Sequence, residues 1–224
     1  MTTPARALHC APHVELNDRD AWRRWLERNH GTATGVWLVG LRRSTGRRGL
    51  DYNAAIEEAL SFGWIDGQAA GVDEQRSKRY LAPRRARSPW SKLNKERFHR
   101  MLQAGRVAPA GMAAVERARS DGSWSILDPV DRLEMPPDLA TALDASPPAR
   151  HNWEAFPPSA RRALLAWIVL ARRDETRARR IEQTAAAAQL NDRANPPSPS
   201  PLLAGGQRGV SMRQIPPPTA TGGG

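Results

Sequence analysis

The chain has 224 residues and a mass of 24.7 kDa, room for one globular domain with a full core or for two small ones. A hydrophobic fraction of 40% and a charged fraction of 25% are those of an ordinary folded protein. The single cysteine excludes an internal disulfide, and the longest apolar run, Ala163–Ala171, falls well short of the ~20 residues a membrane span needs. The net charge of +11 is unusual and has one main address: Lys78–Arg100 holds nine Lys/Arg and one acid, Glu96, a local excess of eight.

Residues 1–14 show no periodic pattern and read as a flexible N-terminus. Their "HCAPH" places His9 and His13 beside Cys10, but no second ligand pair follows, so the sequence carries no metal site and no cofactor motif. The first twenty residues lack the apolar core of a secretory signal, so a soluble, cytoplasmic protein is expected. "NDRDAWRRWLERN" (17–29) opens with Asn17 and Asp18 as helix caps and puts Trp22, Trp25 and Leu26 on one face. "GVWLVGLRR" (35–43) is β-branched and aromatic and reads as a strand, and "STGRRG" turns the chain. Asp51 caps "YNAAIEEALSFG", with Ile56, Ala59 and Leu60 as its apolar stripe and Gly63 at its stop. "WIDGQAAGVD" (64–73) and "RSKRYLAP" (76–83) pair as a hairpin and complete a small antiparallel sheet of about three strands with 35–43.

After Pro89 the chain turns helical. "WSKLNKERFHRMLQAG" runs to Gly105 with Leu93, Met101 and Leu102 inward, and "APAGMAAVERARSDG" starts at Pro109 and ends at Gly122. Short helices follow around 137–145 and 147–156, each introduced by prolines. "SARRALLAWIVLARR" is apolar enough to pack centrally, while "DETRARRIEQTAAAAQL" sets Asp174 and Glu175 in its first turn, as the helix dipole prefers. Arg177, Arg179 and Arg180 stand at spacings that allow salt bridges within that helix. From residue 193 the chain is proline, glycine and small polar residues, a disordered tail. The expected fold is α+β: one domain over 15–192, a small antiparallel sheet packed with a mostly helical C-terminal half.

Four phrases carry a resemblance: "Y-x-x-A-I-E-E-A-L-S-F-G-W-I-D-G" at 52–67, "Y-L-A-P-R-R-A-R-S-P-W-S-K-L-N-K-E-R" at 80–97, "A-G-R-V-A-P-A-G" at 104–111 and "A-R-R-D-E-T-R-A-R-R-I" at 171–181. In this order they resemble the YdeI/OmpD-associated family, also labelled bacteriocin-protection proteins, over roughly residues 15–190. The resemblance implies a small α+β fold and an association with tolerance of antimicrobial peptides or envelope stress, and it supplies no catalytic residues. Ser61 departs from the family, where cysteine often precedes Phe-Gly-Trp.

The basic stretch has its own chemistry. Arg84 and Arg85 follow Pro83, which restricts the backbone, and Ser88, Trp90, Ser91, Lys92, Asn94 and Lys95 surround the start of a helix. Free N–H groups at a helix start, arginine forks and an indole face together suit a phosphorylated small molecule or a nucleic-acid backbone. Trp64 and Asp66, from the adjoining strand, complete this candidate anion site. The bland alternative gives the same residues structural work: Trp64 and Trp90 in the core, Asp66 paired with an arginine, Ser88 and Ser91 as caps. Phosphate-loop, nucleophile-elbow, zinc and kinase motifs are absent, which leaves Asp66 with Arg84 or Lys92 as the one enzymatic arrangement to consider. The sequence therefore favours a non-catalytic protection factor that binds an anionic partner through 78–100. A nucleic-acid module and an enzyme on a small phosphorylated substrate stand as alternatives, and the oligomeric state is open.

Overall fold

A computed structural model describes residues 10–46 and 49–192. The expected disordered tail, 193–224, and residues 1–9 lie outside the described residues. The described residues begin with strand β1 (His13–Glu15), helix α1 (Arg19–Asn29) and strand β2 (Val36–Leu41). Helix α2 (Tyr52–Ser61) then leads into the hairpin β3 (Trp64–Gly71) and β4 (Arg76–Pro83). Helices α3 (Lys92–Gln103) and α4 (Pro109–Ser120) follow. The remainder is helical: α5 (Asp128–Asp131), α6 (Pro137–Asp144), α7 (Pro147–Ala155), α8 (Pro158–Val169) and α9 (Asp174–Gln189). Among the described residues no helix is long and apolar enough to cross a membrane.

The α+β class is as the sequence indicates, and β2 pairs with β4, and β4 with β3, in the antiparallel sense expected. The sheet has a fourth strand, however, in the order β1-β2-β4-β3, and β1 runs parallel to β2. Three residues are too few to display the alternation that identifies a strand, which is why β1 is silent in the sequence. Asp18 caps α1 by accepting from the Ala21 amide at 2.7 Å, and Asp51 caps α2 by accepting from the Asn53 and Ala54 amides.

One hydrophobic cluster lies between the sheet and the first four helices, built on Trp22, Leu26, Val36, Ile56, Leu60, Trp64, Leu81, Trp90 and Phe98. Complete burial of side chains such as Leu26 and Ile56 contributes about 1.5–3 kcal/mol each. A second cluster, including Leu139, Leu143, Trp153, Leu165 and Ile168, sits among α5–α9. The end of α2 and the start of α4 meet backbone to backbone. Gly63, at φ +74°, leaves a Cβ position only 2.9 Å from the Ala110 carbonyl, and a Cβ on Gly111 would lie 2.3 Å from that of Ser61. Glycine is required at both.

Candidate functional site

The residues proposed from sequence separate into three places. Trp64 and Trp90 are core residues, each 1% exposed. The Trp64 indole donates to the His30 carbonyl at 3.2 Å, and Trp90 packs edge-on to Phe98 and tilted to Trp124. Arg84 lies over the Trp90 ring, its Cζ 3.8 Å from the centroid, and its Nη1 donates to Ser88 Oγ, Ser88 O and Pro89 O at 3.2–3.3 Å. Burial pulls the Arg84 guanidinium down to about 9, against the opposing field of Asp66. The Pro83–Trp90 loop is thus closed on its own cation.

Ser91 is the cap of α3, accepting from the Asn94 amide at 3.3 Å. Lys95 pairs with Asp128 and lies near the Trp124 ring, while Arg85 and Lys92 are exposed. Asp66 belongs elsewhere: its Oδ2 accepts from the Tyr52 hydroxyl at 2.8 Å and from Arg79 Nη1 at 3.1 Å, and its partners include neither Arg84 nor Lys92.

That Asp66 cluster borders a cleft of about 760 Å³ between the sheet and the helices. Its formation follows from the pairing register. Leu81 opposes Val36 and Asp66 at the filled end of the sheet face, and Leu38, Arg79 and Ala69 form the next row. Beyond these, Gly40 opposes Ser77. These small residues leave space above the strands, and a Cβ on Gly40 would meet nothing within 4 Å. An irregularity between Asp66 and Ala69 inserts one extra residue in β3, as bulges beside binding sites often do. The first turn of α2 supplies Tyr52 and Asn53 to the wall, and α3 supplies Leu93 and Arg97.

Arg97 is the unusual member. It is 3% exposed, yet its hydrogen bonds go to two neutral amide oxygens: Asn94 Oδ1 at 3.0 Å and Asn53 Oδ1 at 2.6 Å. Its Nε is buried without a partner, and among the described residues no carboxylate pairs with it. Both Arg79 and Arg97 lie over the Tyr52 ring, at 4.5 and 5.6 Å, but Asp66 serves only Arg79. Burial and the adjacent Asp66 charge push the Tyr52 hydroxyl up to about 12, so Tyr52 holds its proton as a donor. The nearby Glu58 shows the ordinary solution to burial: fully enclosed, it accepts from Arg19, Arg23 and Arg106 at 2.6–2.8 Å.

Arg79, Leu81 and Arg97 lie within the basic stretch but are not among the site residues that the sequence proposes, and neither are Tyr52 and Asn53. Leu93 and Leu102 were expected inward on α3; they are 40% and 44% exposed, and the buried positions are Asn94, Arg97, Phe98 and Met101. The signal lay in that spacing, since an asparagine and an arginine share a helical face with Phe98 and Met101.

Two family models match the chain. Residues 14–114, which hold the whole cleft, match a domain of unknown function (DUF8412). No curated protein and no solved structure matches. Three of the four phrases behind the sequence resemblance fall within that first match, and the fourth, at 171–181, falls in the helical region. Residues 132–191 match the model described as Bacteriocin-protection, YdeI or OmpD-Associated (OmdA), the family that the sequence phrases resemble.

Proposed function

We propose that the protein is a non-catalytic binding protein for a small anion, taken up through the basic segment 78–100, and that this binding serves the bacteriocin-protection role named in the family description. The observation that carries this reading is Arg97, a buried cation on the wall of a roomy cleft with no carboxylate among the described residues to balance it. A buried charge is costly unless paired, and a guanidinium whose forks meet only amide oxygens is still able to receive an acid group. Arg79 adds a second cation to the same wall, and Tyr52 a neutral donor.

The residues that the sequence points to keep a part in this proposal. Asp66 fixes Arg79 and Tyr52, Asn94 orients Arg97, Ser91 anchors α3, and Arg84, Ser88 and Trp90 hold the preceding loop. Arg85 and Lys92 remain exposed, the feature that favours a nucleic-acid backbone as the second reading. Native mass spectrometry and ultraviolet absorbance of the protein purified from cells separate the two. Retention of a small anion by the wild type and its loss from Arg97→Gln support the proposal. Co-purifying nucleic acid, released with a log–log salt slope of about one per phosphate contacted, replaces it with the second reading. A protein that retains no small anion, and takes up none from an added mixture of nucleotides, sugar phosphates and organic acids, overturns the first.

A further inference from the structure

Building on the anion-binding reading, we infer that the guest of the cleft is an amphiphilic organic acid, with a single acid group deep at Arg97 and an apolar chain or ring reaching toward the rim past Leu93. Three observations converge on this class. The first is a charge count. Of the carboxylates beside the cleft, Asp51 is engaged by the Asn53 and Ala54 amides, and Asp66 by Tyr52 and Arg79. Arg42, at the outer end, gives its Nε to the Asp73 and Arg76 carbonyls, and Lys78 is turned to the His13 ring nitrogen and the Trp37 ring, away from Arg97. Arg97 is left as the one deeply buried cation of the lining without a carboxylate among the described residues, which suits one negative charge better than the several of a polyphosphate. Of the five N–H groups of Arg97, Nη1 gives one to Asn94 and Nη2 one to Asn53, and Nε is enclosed, which leaves one on each Nη with which to hold an acid.

The second observation is the rest of the lining. Leu38, Leu50, Ile56, Leu81 and Leu93 give the cleft an aliphatic interior that a small hydrophilic anion would leave unsatisfied, and its volume suits a body of drug-like size. The third is depth. Leu93 and Arg97 stand four residues apart on one face of α3, at 40% and 3% exposure. The leucine is therefore at the mouth and the cation inside, so an acid enters head first and its apolar part covers an otherwise exposed leucine.

Fluorescence of 1-anilinonaphthalene-8-sulfonate, itself an apolar ring system bearing one acid group, tests this on the full chain, with decanoate, decanol, acetate and inorganic phosphate as competitors. One site per chain is expected, displaced by decanoate at least tenfold more effectively than by decanol, acetate or phosphate. Arg97→Met should weaken decanoate at least tenfold and leave decanol unchanged. Gly40→Leu, which projects a side chain into open space, should block decanoate while circular dichroism shows an intact fold. Acetate or phosphate competing as well as decanoate overturns the amphiphilic class and leaves anion binding standing. Decanol competing equally with decanoate, or Arg97→Met without effect on any anion, overturns both readings.

Discussion

The sheet-bearing half and the helical half of this chain bury their residues by different rules. Around α5–α9 the interior is almost wholly aliphatic and aromatic, and its one buried polar residue, Thr184, returns its hydroxyl to the Arg180 carbonyl one turn back. Its ion pairs, such as Arg177 with Asp138, lie at the surface, where each is worth little. Between the sheet and α1–α4, by contrast, Glu58, Arg84, Asn94 and Arg97 are all buried. Glu58 is satisfied three times over, Arg84 by carbonyls and an indole, and Arg97 only by amides. The half that matches the bacteriocin-protection family is built for packing, whereas the half that matches a domain of unknown function contains the costly, specific arrangement of buried charge.

This contrast is open to attack through stability. Glu58→Gln leaves three arginines facing a neutral amide, and guanidinium denaturation should show a loss of about 3–5 kcal/mol; a loss below ~1 kcal/mol would mean that the ionic layer of the sheet half is ornamental. In the helical half, Leu139→Ala should cost about 2–4 kcal/mol through cavity formation alone, with no dependence on salt. A salt-sensitive loss there would erase the distinction.

Tyr52→Phe removes the hydroxyl bond to Asp66 and should cost about 1–2 kcal/mol near neutral pH. Because the folded-state pKa is raised above the unfolded value of 10.0, this contribution is complete below that pH and disappears as pH rises toward about 12. The stability gap between wild type and variant should close across that window; a constant gap would show that the hydroxyl does not titrate late. The smallest effect belongs to Arg97→Met, which should change unliganded stability by less than about 1 kcal/mol, in the stabilising direction, because an apolar side chain of similar length needs no counter-charge. A loss comparable to that of Glu58→Gln would make Arg97 a structural residue.

Much of the frame was legible in the sequence because it is written in local signals. Asp18 and Asp51 cap where expected, Gly63, Gly105 and Gly122 take positive φ just beyond helix ends, and the hairpin 64–83 pairs as its β-rich segments suggest. Trp64 and Trp90 proved to be the core residues that the bland alternative allowed. The cleft was not legible, since it depends on which strand positions face the same helix, a matter of register that no single segment encodes. Counting cations between 78 and 100 selects the segment that carries Arg79 and Arg97 without singling out either, because burial and pairing, not composition, decide which arginine is left without a carboxylate. Arg177 illustrates the same limit: its partner is Asp138 on α6 rather than an acid of its own helix.

The backbone contact at Gly63 and Gly111 has a consequence for genetics. A methyl group at Gly111 would press on the Ser61 carbonyl and act on α2 as on a lever, with Tyr52 and Asn53 at the far end, about 13 Å away. A screen for variants that fail to bind the proposed anion should therefore return these glycines beside Arg97, although neither lines the cleft.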